Sequence, residues 1–331
     1  MNSSKPTHQT ITSAWISLGV GIIVLGTKFA GYFVTHSQAI FSDALESIVN
    51  VVTAIIALLV MKAVAEPADE DHPYGHGKLE YFSAAFEGGL IAFAALAIAY
   101  EAILALIKGH EVHEVQSGVI FIGVASLFNF LLAMHLRTVG KKFNSEALLA
   151  SSSHVLSDVW TTVGVAVGLL LVKLTGWQWL DPVVALVLAG QLAVHGYGIV
   201  RQSVGGLIDE TDKDSLVKLC ESLNRHLKPG LIDVHNLRVI RSGSFHHVDA
   251  HLVVPDFWDA HRVHQESHQF ESLVVQDYQF DGEFAFHVDP CQKNFCTRCS
   301  LENCPIRQRE FKGAQALTVE SIIKPPSYDL I

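Results

Sequence analysis

Six apolar runs of membrane-spanning length, on the order of 20 residues each, occupy the first two thirds of this chain. They cover roughly residues 12–34, 39–64, 81–107, 117–139, 146–173 and 180–203. In lipid the backbone has no water to bond, so only helices or closed barrels can cross. Long continuous apolar runs, rather than short alternating ones, select helices. Residues 1–207 are therefore expected to form an all-α six-helix transmembrane domain. Composition agrees: half of the 331 residues are hydrophobic and 17% are charged, against roughly a quarter in soluble domains. The first run is too long for a signal-peptide core and has no small-residue cleavage site, so it reads as a true span.

Lys and Arg fall unevenly around the spans. Lys5, Lys62, Lys78, Arg137, Lys141, Lys142 and Arg201 lie on one side, with Lys108 and Lys173 on the other. The basic side is expected to be cytoplasmic, with both termini there. Trp177 and Trp179 sit in the last outer loop, where aromatic belts form. Gly164 and Gly168 make a small-xxx-small pair suited to close helix packing.

After Gly205-Gly206 the pattern becomes that of a soluble chain. Residues 212–227 carry leucines at helical spacing, 234–241 and 246–254 read as strands about a Ser242-Gly243 turn, 259–274 as a helix and 283–288 as a strand. This αββαβ order over residues 208–290 predicts a small α+β, ferredoxin-like domain. Residues 291–331 are a Cys-rich tail, read as irregular. A net charge of −10 together with 18 histidines argues against nucleic acid and for metal cations.

Ionisable residues within the spans are costly in lipid and mark interior sites. Glu46 and Asn50 are four apart in the second span, and His154 and Asp158 four apart in the fifth, so each pair shares a helix face. Together they supply four ligands, the number a tetrahedral metal site needs. The loop after the second span crowds Asp69, Glu70, Asp71, His72 and His76 among glycines, which is either a metal cluster or a solvated acidic turn.

The stretch His72-Pro73-Tyr74-Gly75-His76-Gly77-Lys78-Leu79-Glu80, with His-x-x-x-Asp in the fifth span, resembles the cation diffusion facilitator family. The resemblance covers the six spans and the soluble domain to about residue 290. It implies a homodimeric exporter in the lipid bilayer that exchanges a cytoplasmic divalent metal for protons. It implies a transport site at Glu46, Asn50, His154 and Asp158, a loop site at Asp69, His72 and His76, and an ion pair between Lys78 and Asp209. In the soluble domain it implies metal ligands at His235, His251, His261, His287 and Asp289. His246, His247, His264 and His268 are read as solvated or auxiliary.

The chain departs from the family pattern at Glu46 and Asn50, where the family offers His or Asp and then Asp. Asp43, one turn earlier, is an alternative ligand. One imidazole among oxygen donors tilts the site toward manganese, iron or cobalt, with cadmium also in the class, while the general affinity order favours zinc over those three. Zinc therefore leads as transported and regulatory ion. Two other readings remain: a membrane-embedded metalloenzyme, for which no nucleophile or substrate motif is present, and a metal sensor with a membrane anchor.

The typical family member lacks the tail, in which Cys291-x4-Cys296-x2-Cys299-x4-Cys304-Pro305 stands apart from the lone Cys220. In a reducing cytoplasm these thiols are not a disulfide framework. Zinc held by four thiolates is the first reading and an iron–sulfur cluster the second. A bacterial inner membrane is the expected location.

Overall fold

The computed structural model describes residues 8–64, 66–109, 111–143, 146–243, 245–278 and 281–325; Lys5, used in the charge argument, lies outside them. Six long helices come first: α1 (His8–Thr35), α2 (Gln38–Val64), α3 (Leu79–Lys108), α4 (Val115–Phe143), α5 (Glu146–Thr175) and α6 (Leu180–Leu207). All six are long and apolar enough to cross a membrane. Their outer faces carry Phe93, Leu96, Leu174 and Val194, each more than two thirds exposed. A solvated surface would not tolerate apolar area on that scale, and a lipid-facing one requires it.

The helices pack through small residues. Gly88 of α3 and Gly196 of α6 meet so closely that a Cβ on Gly196 would stand 2.8 Å from the Gly88 carbonyl oxygen. Gly168 of α5 faces Val184 of α6 with a Cβ clearance of 2.9 Å, whereas Gly164 meets open space. Of the expected pair, then, only Gly168 serves close packing. Helices α2 and α6 are tied at their starts. The Asp181 carboxylate accepts the Gln38 N–H at 2.6 Å and the Ala39 N–H at 3.3 Å. It thus satisfies orphan donors at the start of α2 from another helix.

Residues 66–79 and 205–331 form a second compact unit, so the loop after α2 belongs with the extramembrane domain. That domain runs α7 (Lys213–His226), β1 (Asp233–Ser242), β2 (Phe245–Val254), α8 (Ala260–Asp277), β3 (Asp281–Pro290) and a short α9 (Val319–Ile323). The first five elements give the expected αββαβ order. Asp212 and Asp259 cap the N-termini of α7 and α8, the position where a short acceptor side chain is worth most.

The strand order is β1-β2-β3, with β1 and β2 antiparallel and β2 and β3 parallel. Alternation sends Val248, Ala250, Leu252 and Val254 of β2 into a core with Leu216, Leu219 and Leu223 of α7 and Phe270 and Val274 of α8. His247, Asp249 and His251 therefore point to the opposite face. A bulge after His235, where Asn236 takes φ 53°, adds a residue to β1. It lets Val234 and Leu237 both reach the core while His235 stays opposite His251.

The tail is less irregular than its composition suggests. Leu317 and Ile322 enter the same core, and the Asn236 N–H donates to the Lys324 carbonyl at 2.8 Å. Replacing the fully buried Ile322 by Ala is expected to cost about 2–5 kcal/mol of domain stability. Amide hydrogen exchange in α7 and β1 should speed up accordingly; unchanged protection would detach the tail from the core.

Candidate metal sites

In the helical unit, α2 and α5 bring Asn50, His154 and Asp158 together. The Asn50 amide nitrogen donates to an Asp158 carboxylate oxygen at 2.8 Å, and its amide oxygen lies 3.3 Å from His154 Nε2. All three line a cavity of about 380 Å³ whose wall also includes Glu87 of α3, Asn129 of α4 and Ser47 of α2. Such a concentration of polar groups amid apolar helices is a binding site by default.

Two expected ligands are not part of this cavity's lining. Glu46 is partly buried on α2 and is not among the cavity's lining residues. Asp43 is fully buried in an ion pair with Lys28 of α1, Nζ to Oδ1 2.7 Å. The Thr162 hydroxyl lies 3.2 Å from both Asp43 carboxylate oxygens and 2.8 Å from the Asp158 carbonyl. In this structure Asp43 is a lysine's counter-ion, about two turns before Asn50 on the same helix.

The loop after α2 forms a second cluster. One ligand atom each from Asp69, His72 and His76 lie within 4.8 Å of one another. The His72 backbone N–H donates to Asp69 at 2.6 Å and its ring Nδ1 stands 3.1 Å away, while His76 Nε2 is 3.6 Å from the other carboxylate oxygen. That backbone N–H, ahead of the ring, holds the Asp69 carboxyl below the usual carboxylate range. Docking of the loop on the sheet places it. Gly77 lies against the Ser242 carbonyl, which a Cβ would strike, and the Ser242 hydroxyl donates to the Tyr74 carbonyl at 3.0 Å. Lys78 and Asp209 form the expected ion pair at 3.0 Å.

The third cluster lies on the open face of the sheet. Register places His235 beside His251, His251 beside His287, and Val253 beside Asp289. Ligand atoms of His235, His251 and Asp289 lie within 4.8 Å of one another. His251 Nδ1 is 2.9 Å and His235 Nε2 3.3 Å from Asp289 Oδ2. Apart from that Asp289 contact, His235 Nε2 is buried with no well-formed hydrogen bond, which leaves it available to a cation. His287 is largely exposed, with its ring 4.7 Å from that of His251. His261 is exposed in the first turn of α8, outside this group.

Residues 14–208 match the cation efflux transmembrane domain, and residues 211–291 match the cytoplasmic domain of cation efflux proteins. The chain belongs to the cation diffusion facilitator family. An uncharacterised transporter of Synechocystis is 34% identical, over 84% of this chain and 90% of its own length. The cation-efflux pump FieF of Serratia proteamaculans is 25% identical, over 85% and 92% of the two chains. MneP of Bacillus subtilis, a manganese efflux system protein, is 25% identical over 84% and 95%. This cation diffusion facilitator is a membrane transporter of metal cations, not an enzyme.

Sequence reasoning missed Glu87, Asn129 and Lys28. Each is a polar residue inside an apolar span, which is itself the signal that could have found it. The auxiliary histidines do have partners: His246 Nδ1 lies 2.9 Å from the Tyr278 hydroxyl, and His247 Nδ1 2.7 Å from Glu283. Burial lowers the His246 pKa and favours its neutral form. His264 and His268 stack on α8 with ring centroids 5.9 Å apart.

In the tail, Cys291, Cys296, Cys299 and Cys304 all line one cavity of about 730 Å³. Burial first, and then the thiols of Cys299, Cys304 and Cys296, push the Cys291 thiol up.

Proposed function

We propose that this transporter exports a divalent transition-metal ion from the cytoplasm in exchange for protons, using Asn50, His154 and Asp158 as the core of its transport site. The observation that carries this reading is the clasp of those residues between α2 and α5, inside a polar cavity among spanning helices. A metal must meet a neutral imidazole and an ionised carboxylate, so metal and protons compete for His154 and Asp158. Protons arriving from the outer side would release the ion, and their loss to the cytoplasm would reset the site.

The donor set has one nitrogen, with oxygens from Asn50 and Asp158. Zinc leads in the general affinity order over cobalt, iron and manganese, while oxygen-rich ligation admits the harder ions; cadmium belongs to the same class. Efflux of manganese by the relative from Bacillus subtilis fits this breadth. Glu46 and Asp43, on the same helix as Asn50, would be the groups to join the site in other steps of the transport cycle.

The loop cluster at Asp69, His72 and His76 would collect cytoplasmic cations. The sheet cluster at His235, His251 and Asp289 would hold a regulatory ion, with His287 beside it. His261 is exposed and outside that group, so a ligand role for it would belong to contact with a second copy in a homodimer. The basic side of the membrane domain supports cytoplasmic termini and an inner-membrane setting.

The test is uptake of zinc, cobalt, iron, manganese and cadmium into proteoliposomes, with and without an inside-acid gradient. Accumulation of one or two ions, increased by the gradient, is the expected result. Flux indifferent to the gradient would remove the proton exchange, and absence of flux for every ion in well-inserted protein would remove the assigned cargo.

A further inference from the structure

We propose that Cys291, Cys296, Cys299 and Cys304 hold a zinc ion as four thiolates, in a site separate from the transport cavity and from the histidine cluster. Little regular structure or packing keeps residues 291–312 in place. Their only helical element is a 3-10 turn, Lys293–Thr297. Among these described residues a single one is buried, and it is the thiol-bearing Cys299. A segment of this length that buries almost no apolar surface cannot offset its ordering entropy by packing, and segments of that kind are held by disulfides or metals.

The backbone nonetheless follows one defined path around the four thiols. Cys291 extends the sheet, its N–H donating to the Val254 carbonyl at 2.8 Å. The Lys312 N–H donates to the Thr297 carbonyl at 2.8 Å and closes the segment on itself. Arg307 reaches inside the loop and donates to the carbonyls of Cys296 at 2.9 Å and Cys299 at 3.1 Å, and to that of Leu301. It thereby fixes the backbone at two of the four cysteines. All four cysteines are among the residues that line one cavity.

Charge supports the same occupant. Four thiolates around Zn²⁺ carry a net charge of −2. Residues 291–312 contain Lys293, Arg298, Arg307, Arg309 and Lys312 against Glu302 and Glu310, in a chain whose net charge is −10. Arg307 is bonded to carbonyls rather than to a carboxylate, so its charge stays available to offset a dianionic centre. An empty cluster of neutral thiols has no need of this local excess. Soft thiolate donors also select zinc over the harder ions that the oxygen-rich transport cavity admits, so the tail need not share its cargo.

The site would also steady the neighbouring cluster. Arg298 lies between Cys296 and Cys299 in sequence, and its Nη2 is 3.1 Å from an Asp233 carboxylate oxygen. The same oxygen is 3.5 Å from Nδ1 of His235. A zinc-stapled tail would hold Arg298 at the outer edge of the His235 side chain.

The test uses the full-length protein in detergent. Elemental analysis should give one more zinc per chain in the wild type than in Cys296→Ser/Cys299→Ser. Cobalt-exchanged wild type should show intense thiolate-to-cobalt charge-transfer absorption. That absorption should survive His235→Ala/His251→Ala/Asp289→Ala, which strips the sheet cluster. A readout free of folding defects comes from the wild type alone: zinc should protect the four tail thiols from alkylation. Equal alkylation with and without zinc, with no charge-transfer band, would overturn the proposal. Iron with acid-labile sulfide in the isolated protein would overturn it in favour of a cluster.

Discussion

Asp158→Asn should reduce metal flux in proteoliposomes by more than about 100-fold, because a change one shell further out already costs 10–100-fold at metal sites. The substitution keeps the size of the side chain and its hydrogen bond to Asn50 by an amide flip, but removes the only carboxylate in the Asn50–His154–Asp158 clasp. A neutral amide gives up the charge attraction for the ion and the proton exchange together. Glu46→Gln should do less, since Glu46 is outside the hydrogen-bonded clasp of Asn50, His154 and Asp158. Initial rates of zinc uptake for the two variants, normalised to protein inserted, check the order. If Glu46→Gln lost as much flux as Asp158→Asn, Glu46 would be a ligand in the working site and the cavity described above only one state of it.

Much of this molecule was legible from its sequence because lipid leaves so few options. A 20-residue apolar run has one solution, and a histidine four residues from an aspartate on such a run has one face to share. The αββαβ order was legible for a similar reason: alternation in 246–254 puts His247, Asp249 and His251 opposite the valines and leucines of the core. What escaped depends on pairs distant in sequence. Lys28 stands in an apolar helix, yet its role follows only from Asp43 on a different helix. Asp181 reads as an ordinary loop-end acid until it is found bonded to Gln38 and Ala39. Leu317 and Ile322 lie in a polar tail with no periodicity to betray them, and join the core because the chain turns back along β1.

The Lys28–Asp43 pair decides whether Asp43 serves the fold or the cargo. Lys28→Met leaves the Asp43 carboxylate deep among helices, with the Thr162 hydroxyl as its hydrogen-bond partner among the described residues. Removing one partner of a buried pair typically costs about 3–5 kcal/mol, because the remaining charge has no compensation. The purified variant should therefore melt at a clearly lower temperature in detergent. Lys28→Met/Asp43→Leu removes both charges, and replacing such a pair by apolar groups is often neutral or better. The double variant should recover most of the lost stability, and with Asn50, His154 and Asp158 intact it should still move metal. A double variant as stable as the wild type but devoid of flux would make Asp43 a participant in transport, with Lys28 as the charge that the arriving ion displaces.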